Sequence, residues 1–148
     1  SFDLDGQNFL EVATNVSKKL EQLDLIEPTY LDAVITRENT FPTGLITKSI
    51  NISIPHTDSE HVKEPFVYIV RCENDISVKQ MGDNQEMTVS NFFFLGIKDP
   101  KKQVELLQVI MNLFMDDQFV RDYVECSNES SAYTLIAKYL DLTAKEDE

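Results

Sequence analysis

The spacing of apolar side chains divides the chain into a helical opening, a strand-rich middle and a helical close. From Asn8 to Leu23, the residues Phe9, Val12, Ala13, Val16, Leu20 and Leu23 fall on one stripe, the period of an amphipathic helix. Asn8 followed by Glu11 resembles a capping box. A second helix is predicted from Thr29, with Asp32 at the matching offset and Leu31, Val34 and Ile35 inward. It must stop before Phe41-Pro42, because the residue preceding a proline disfavours helical backbone. Pro42-Thr43-Gly44 then fits a type I turn.

Strand signals follow. Ile50–Ile54 alternates apolar and polar, Phe66–Val70 is nearly all β-formers, and Ile76–Met81 alternates less cleanly. Asn91–Ile97 holds Phe92, Phe93, Phe94, Leu95 and Ile97, the pattern of a strand buried on both faces. Gly82-Asp83-Asn84 supplies the loop before it. Helical spacing returns after Asp99, a good N-cap, with Pro100 at the first helical position. Val104, Leu107, Met111 and Phe114 form one face there, widened by Leu106, Ile110 and Leu113. A short helix is expected near Asp117–Val124. Another is expected over Glu129–Leu140, capped by Ser127 or Asn128, with Ala132, Leu135, Ile136 and Tyr139 inward. The charged tail Lys145–Glu148 is expected to fray. No repeat, low-complexity segment or linker interrupts the pattern, so residues 1–148 are expected to form one domain with a core over about 8–140. Helices, strands and helices in that order imply a three-layer α/β domain with a mixed sheet.

Composition narrows the classes of function. The chain has 148 residues, 42% of them hydrophobic, enough for one core. With 26 acids against 13 bases the net charge is −13, which argues against nucleic acid and against an anionic membrane surface. It suits a basic protein partner. Phe92–Ile97 is the longest strongly apolar run and is far too short to span a bilayer. No charged-then-apolar leader pattern is seen. Cys72 and Cys126 fit no metal or redox spacing, and ordinary packing is the simpler reading of both. A reducing cytoplasm is the expected location.

The chemistry gathers in Ile52-Ser53-Ile54-Pro55-His56-Thr57. The alternation ends a strand, Pro55 stops the ladder, and His56 leaves at the carboxyl edge of the sheet, where α/β domains bind ligands. A neutral imidazole is a competent nucleophile near neutral pH, and a phosphoryl group on it can be handed on. A lone histidine after a strand is more often structural, so the surrounding motifs decide.

Those motifs are Arg37-Glu38, Phe41-Pro42-Thr43-Gly44-Leu45, Ile52–Thr57, Val62-Lys63-Glu64-Pro65, Phe94-Leu95-Gly96-Ile97 and the helix from Lys101 to Phe114. In order and spacing they resemble the fructose–mannitol type enzyme IIA domains of the bacterial phosphotransferase system, especially the galactitol-like branch, over roughly Asn8 to Leu140. The resemblance implies an α/β/α sandwich of three layers with a mixed, mostly parallel central sheet flanked by helices. It implies a phosphotransferase without a cofactor, in which His56 accepts a phosphoryl group from the carrier protein HPr. His56 would pass the group to a cysteine of a cognate enzyme IIB, with the membrane enzyme IIC involved indirectly. Galactitol or a related polyol is the implied sugar. Arg37 matches the arginine beside the active histidine, where a guanidinium can pair two phosphoryl oxygens. Read from its position alone, it is a helix C-terminal cation complementing the dipole. Glu38 either orients Arg37 or is solvated.

One position departs from the family pattern. Mannitol-type members carry a second histidine where this chain has Gln103, which can donate a hydrogen bond but carries no charge. Either Gln103 or His61 takes that place. Thr57 either donates to the phosphoryl group or is a loop residue. His61 is otherwise a surface histidine paired with Glu60 or Asp58. The exposed apolar docking groups are expected within Phe41–Leu45. Two other classes of function are weighed beside this one. One is a regulatory module of the same fold, whose phosphorylation controls transcription or transport; the transport role is the expectation here, since no DNA-binding or regulator pattern is seen in these residues. A metal-dependent hydrolase using His56 and His61 lacks an evident third ligand, and no metal site is expected.

Overall fold

Two faces of one strand organise the molecule. The computed structural model describes residues 6–47 and 50–146. Among them, β1 (Gly44–Ile46), β2 (Asn51–Ser53), β3 (Phe66–Lys79) and β4 (Glu86–Gly96) form one sheet in the order β1-β2-β4-β3. Phe92, Phe93, Phe94 and Leu95 of β4 are all essentially buried, as the apolar run predicts. Because side chains alternate along a strand, Phe92 and Phe94 face one way and Phe93 and Leu95 the other.

Phe92 and Phe94 pack in a core with Val12, Val16 and Leu20 of α1 (Phe9–Gln22) and Tyr30 and Val34 of α2 (Tyr30–Thr40). Phe93 and Leu95 pack in a second core with Ile110, Phe114, Phe119, Tyr123 and Ala132. Those residues come from the segment holding α3 (Pro100–Leu113), α4 (Asp117–Glu125) and α5 (Glu129–Glu146). The result is an α/β domain with a mixed sheet flanked by helices. The expectation of a mostly parallel sheet is corrected. Among the described strands only β2 and β4 run parallel, while β1–β2 and β3–β4 are antiparallel. The antiparallel share follows from connection length, since β3 and β4 are joined by a tight turn at Gly82 that only antiparallel strands allow.

Local signals held where side chains cap or pack. Asn8 accepts from the Glu11 amide, Asp99 from the Lys101 amide and Asn128 from the Ser131 amide. Other details differ. Phe66–Val70 and Ile76–Lys79 form parts of one strand, because β3 continues through a bulge between Arg71 and Ile76, and Met81 lies in the turn beyond the strand. The Pro42–Gly44 segment is an extended lead into β1, not a turn. Leu23 and Val104 lie exposed, the first at the cap of α1 and the second on the outer side of α3. Helix α5 carries Lys145 and Glu146 in helical backbone, and the end of the tail lies outside the described residues. Among the described residues no helix is long and apolar enough to cross a membrane.

The fold brings the segment holding His56 to the carboxyl edge of the sheet by two contacts. Ile52 and Ser53 pair with Asn91 and Phe92, and the Pro55 carbonyl accepts from the Leu95 amide at 3.0 Å. The chain therefore stays registered against β4 until the residue before His56. On the other side β1 reaches the β3–β4 hairpin through Gly44, whose carbonyl accepts from the Met81 amide at 2.7 Å. A Cβ on Gly44 would lie 2.5 Å from the Lys79 carbonyl oxygen and 2.6 Å from Met87 Sδ. Backbone cannot yield as a flexible side chain can, so Gly44→Ala is expected to cost about 1–3 kcal/mol of stability, read from the urea unfolding midpoint.

Candidate active site

The site is assembled at the C-terminal end of α2 and the C-terminal end of β2. Helical spacing puts Tyr30, Val34 and Glu38 on one stripe, and all three are buried. Glu38 is therefore a carboxylate at a core position, and burial pushes its pKa up. Its partner is Thr43. The Thr43 amide donates to Oε1 at 2.9 Å, and the Thr43 hydroxyl lies 3.1 and 2.9 Å from the two carboxyl oxygens. The same hydroxyl oxygen accepts from the Ile54 amide at 3.1 Å and lies 3.1 Å from Ser53 Oγ. A single threonine thus ties α2 to the end of β2.

That tie sets Arg37 and His56 in relation to each other. Arg37 immediately precedes Glu38, and His56 follows the anchored Ile54 by two residues. His56 Nδ1 is 2.8 Å from the Ile54 carbonyl oxygen, which can only accept, so Nδ1 carries the proton and Nε2 holds the free lone pair. The residue is only 6% exposed, more enclosed than an imidazole simply leaving the sheet edge. Burial is the largest influence on it and pushes its pKa down, and the Arg37 charge acts in the same direction. The Ile54 hydrogen bond and the Asp58 charge oppose them without reversing the result. Desolvation thus outweighs the opposed charges of Arg37 and Asp58.

Arg37 is part-exposed. Its guanidinium lies 5.2 Å from the centroid of the Phe41 ring, and one terminal nitrogen is 3.6 Å from an Asp58 carboxyl oxygen. Its Nε is buried without a hydrogen-bond partner, a donor left available. Phe41 is 61% exposed and is the exposed apolar residue of the Phe41–Leu45 segment.

The remaining candidates divide. Thr57 is buried next to His56. His61 is held elsewhere: Nδ1 bonds Thr29 Oγ1 at 2.7 Å and Nε2 lies 3.5 Å from a Glu60 oxygen. Thr29 stands at the start of α2, about 12 Å along the helix axis from Arg37 by the rise per residue. The Thr29 hydroxyl is thereby taken from the capping role its position suggests. Gln103 sits part-buried in the first turn of α3, where its backbone N–H donates to the Asp99 carbonyl. Among the described residues no group of three or more His, Cys, Asp or Glu side chains converges to hold a metal. Three contributors were not singled out in the sequence: Thr43 as a bridge, Ser53 as its buried neighbour, and Asp58 as the partner of Arg37. Glu38 was noted with two roles open and takes neither. Its place on the Tyr30–Val34 stripe was the available signal, since a buried carboxylate requires a donor.

Residues 1–139 match the family described as phosphoenolpyruvate-dependent sugar phosphotransferase system, EIIA 2. The galactitol-specific EIIA component of Escherichia coli (strain K12) is 27% identical over 114 residues, 77% of this chain and 76% of that one. The fold is similar to the complex of enzyme IIAMTL with phosphorylated enzyme IIBMTL from Escherichia coli, with a TM-score of 0.72, 14% identity and coverage of 90% of each chain. It is also similar to nitrogen regulatory protein IIA-Ntr from Neisseria meningitidis, with a TM-score of 0.62, 18% identity and coverage of 92% of this chain and 89% of that one.

Two outcomes follow from the geometry. Replacing Thr43 by valine strips the buried Glu38 carboxyl of the hydroxyl, and a loss of about 1–3 kcal/mol is expected in denaturant unfolding. The His56 ring should titrate below the ordinary histidine value of about 6.5 when followed by NMR. Since its folded pKa is depressed, it contributes stability that is present above about pH 6.5 and lost as pH falls through the folded value. A His56→Gln variant should lose that part of the pH dependence.

Proposed function

The chain belongs to the phosphoenolpyruvate-dependent sugar phosphotransferase system EIIA 2 family, and from that premise we propose that it carries a phosphoryl group on Nε2 of His56. As an EIIA component it is a phosphotransferase. The donor in this reading is phosphorylated HPr, and the acceptor is a cysteine of a cognate enzyme IIB. The observation that carries the proposal is the fixed tautomer of His56, with Nδ1 on the Ile54 carbonyl and the Arg37 charge acting on the ring.

The lone pair of Nε2 attacks phosphorus, and the donor's N–P bond breaks with its electron pair returning to the donor ring. The proton stays on Nδ1, donated to the Ile54 carbonyl throughout, so no proton moves. In the second half the acceptor thiolate attacks phosphorus, and the His56 N–P bond breaks with its pair returning to Nε2. A depressed ring pKa keeps the lone pair available at neutral pH. Arg37 supplies charge for the phosphoryl oxygens, and its unpartnered Nε–H is the donor already desolvated for them. With the ring so enclosed, the partner must approach from the side where Arg37 and Asp58 reach solvent. Phe41 supplies an exposed apolar contact there, and the net charge of −13 favours a basic surface on the donor.

Galactitol transport is the branch favoured by the 27% identical relative, and the proposed location is the cytoplasm. In an assay with phosphoenolpyruvate, enzyme I and HPr, wild type should gain one acid-labile, base-stable phosphoryl group. His56→Ala should gain none, and labelling that persists in this variant would refute the assignment. Arg37→Ala should fold normally and accept the group about 100-fold to 1,000-fold more slowly.

A further inference from the structure

Asp58 stands where two anions must share one cation. Its carboxyl is 3.6 Å from an Arg37 terminal nitrogen, and its side chain is 72% exposed. It is close enough to His56 for its charge to act on the ring. Although Asp58 occupies the cap position of the 3-10 turn Ser59–His61, its side chain makes no capping hydrogen bond. The local backbone does not need this carboxylate: its carbonyl, not its side chain, accepts from the His61 amide. What the side chain contacts instead is the arginine expected to receive phosphoryl oxygens.

We propose that Asp58 is a positioning residue that sets how firmly His56 holds the phosphoryl group, by competing with that group for Arg37. In the unmodified protein Asp58 holds the guanidinium beside the pocket and balances its charge. A phosphoryl group on Nε2 brings negative charge to the same place, and Arg37 cannot satisfy both anions fully. The ion pair at 3.6 Å between exposed groups is weak, so the exchange costs little. Once Arg37 turns to the phosphoryl oxygens, the Asp58 carboxylate remains as an unneutralised like charge nearby. That repulsion weakens the phosphorylated state and favours onward transfer. The N–P bond formed and broken is the one described above; Asp58 takes no proton and forms no bond.

This inference rests on His56 as the phosphoryl carrier. It is tested by mixing phosphorylated HPr with wild type, Asp58→Asn or Asp58→Glu and measuring the fraction of each species at equilibrium by native gel. Asp58→Asn should shift the equilibrium toward the phosphorylated chain by about fivefold, the size expected for one exposed charge at this range. Asp58→Glu should stay near wild type. The difference between Asp58→Asn and wild type should shrink as salt rises, which a purely structural effect would not do. Wild type that takes no label on His56 overturns the carrier reading, and this inference with it. Wild type that labels while Asp58→Asn gives an unchanged equilibrium overturns the inference alone. An equal shift in Asp58→Glu and Asp58→Asn also overturns it, since the charge would then not be the cause.

Discussion

A buried carboxylate held by one threonine is the constraint on which the site depends. Glu38 lies in the core stripe of α2, where an unpaired charge would cost several kcal/mol. Thr43 meets it with both its amide and its hydroxyl, and the same hydroxyl oxygen accepts from the first backbone amide beyond β2. The network spans a helix, an extended segment and a strand end. Thr43 is its hub, meeting Glu38 on one side and Ser53 and Ile54 on the other. The residue before Glu38 is the arginine, and two residues past Ile54 is the histidine. Satisfying one buried group therefore fixes the relation between Arg37 and His56.

Around that frame, the electrostatics of His56 are set by position more than by any single neighbour. The ring is desolvated, which disfavours its charged form, and Arg37 adds to that effect. The Ile54 carbonyl partly offsets both and selects the tautomer. The free lone pair on Nε2 is therefore available without a dedicated general base, since the proton is held on the other ring nitrogen. Arg37 is restrained on one side by the Phe41 ring and on the other by Asp58, both weak contacts. Neither contact locks the guanidinium in place, as a strong buried ion pair would.

Much of the fold could be read along the chain because its signals are local. The stripe Phe9–Leu20, the Asn8 and Asp99 caps and the two-sided burial of Phe92–Leu95 each depend on neighbours a few residues away. Strand direction was not legible, because pairing partners are set by connection geometry across the whole sheet; β3 meets β4 through a tight turn and a bulge that propensity does not reveal. Leu23 and Val104 were misplaced inward for a related reason. Periodicity gives a face, while the packing of neighbours decides how far that face extends. His61 was ambiguous in sequence and is tied to Thr29, a residue distant along the chain.

The order of helices and strands, the acidic charge and the motif around His56 and Arg37 are all legible along the chain. These are properties of residue type and spacing, and spacing is preserved on folding. The tertiary structure decided that His56 is enclosed, which nitrogen keeps the proton, and that Glu38 serves Thr43 rather than Arg37. It also decided that Asp58 faces the arginine. Each of these depends on distances between segments far apart in the chain, where desolvation and charge act through space and leave no mark on local pattern.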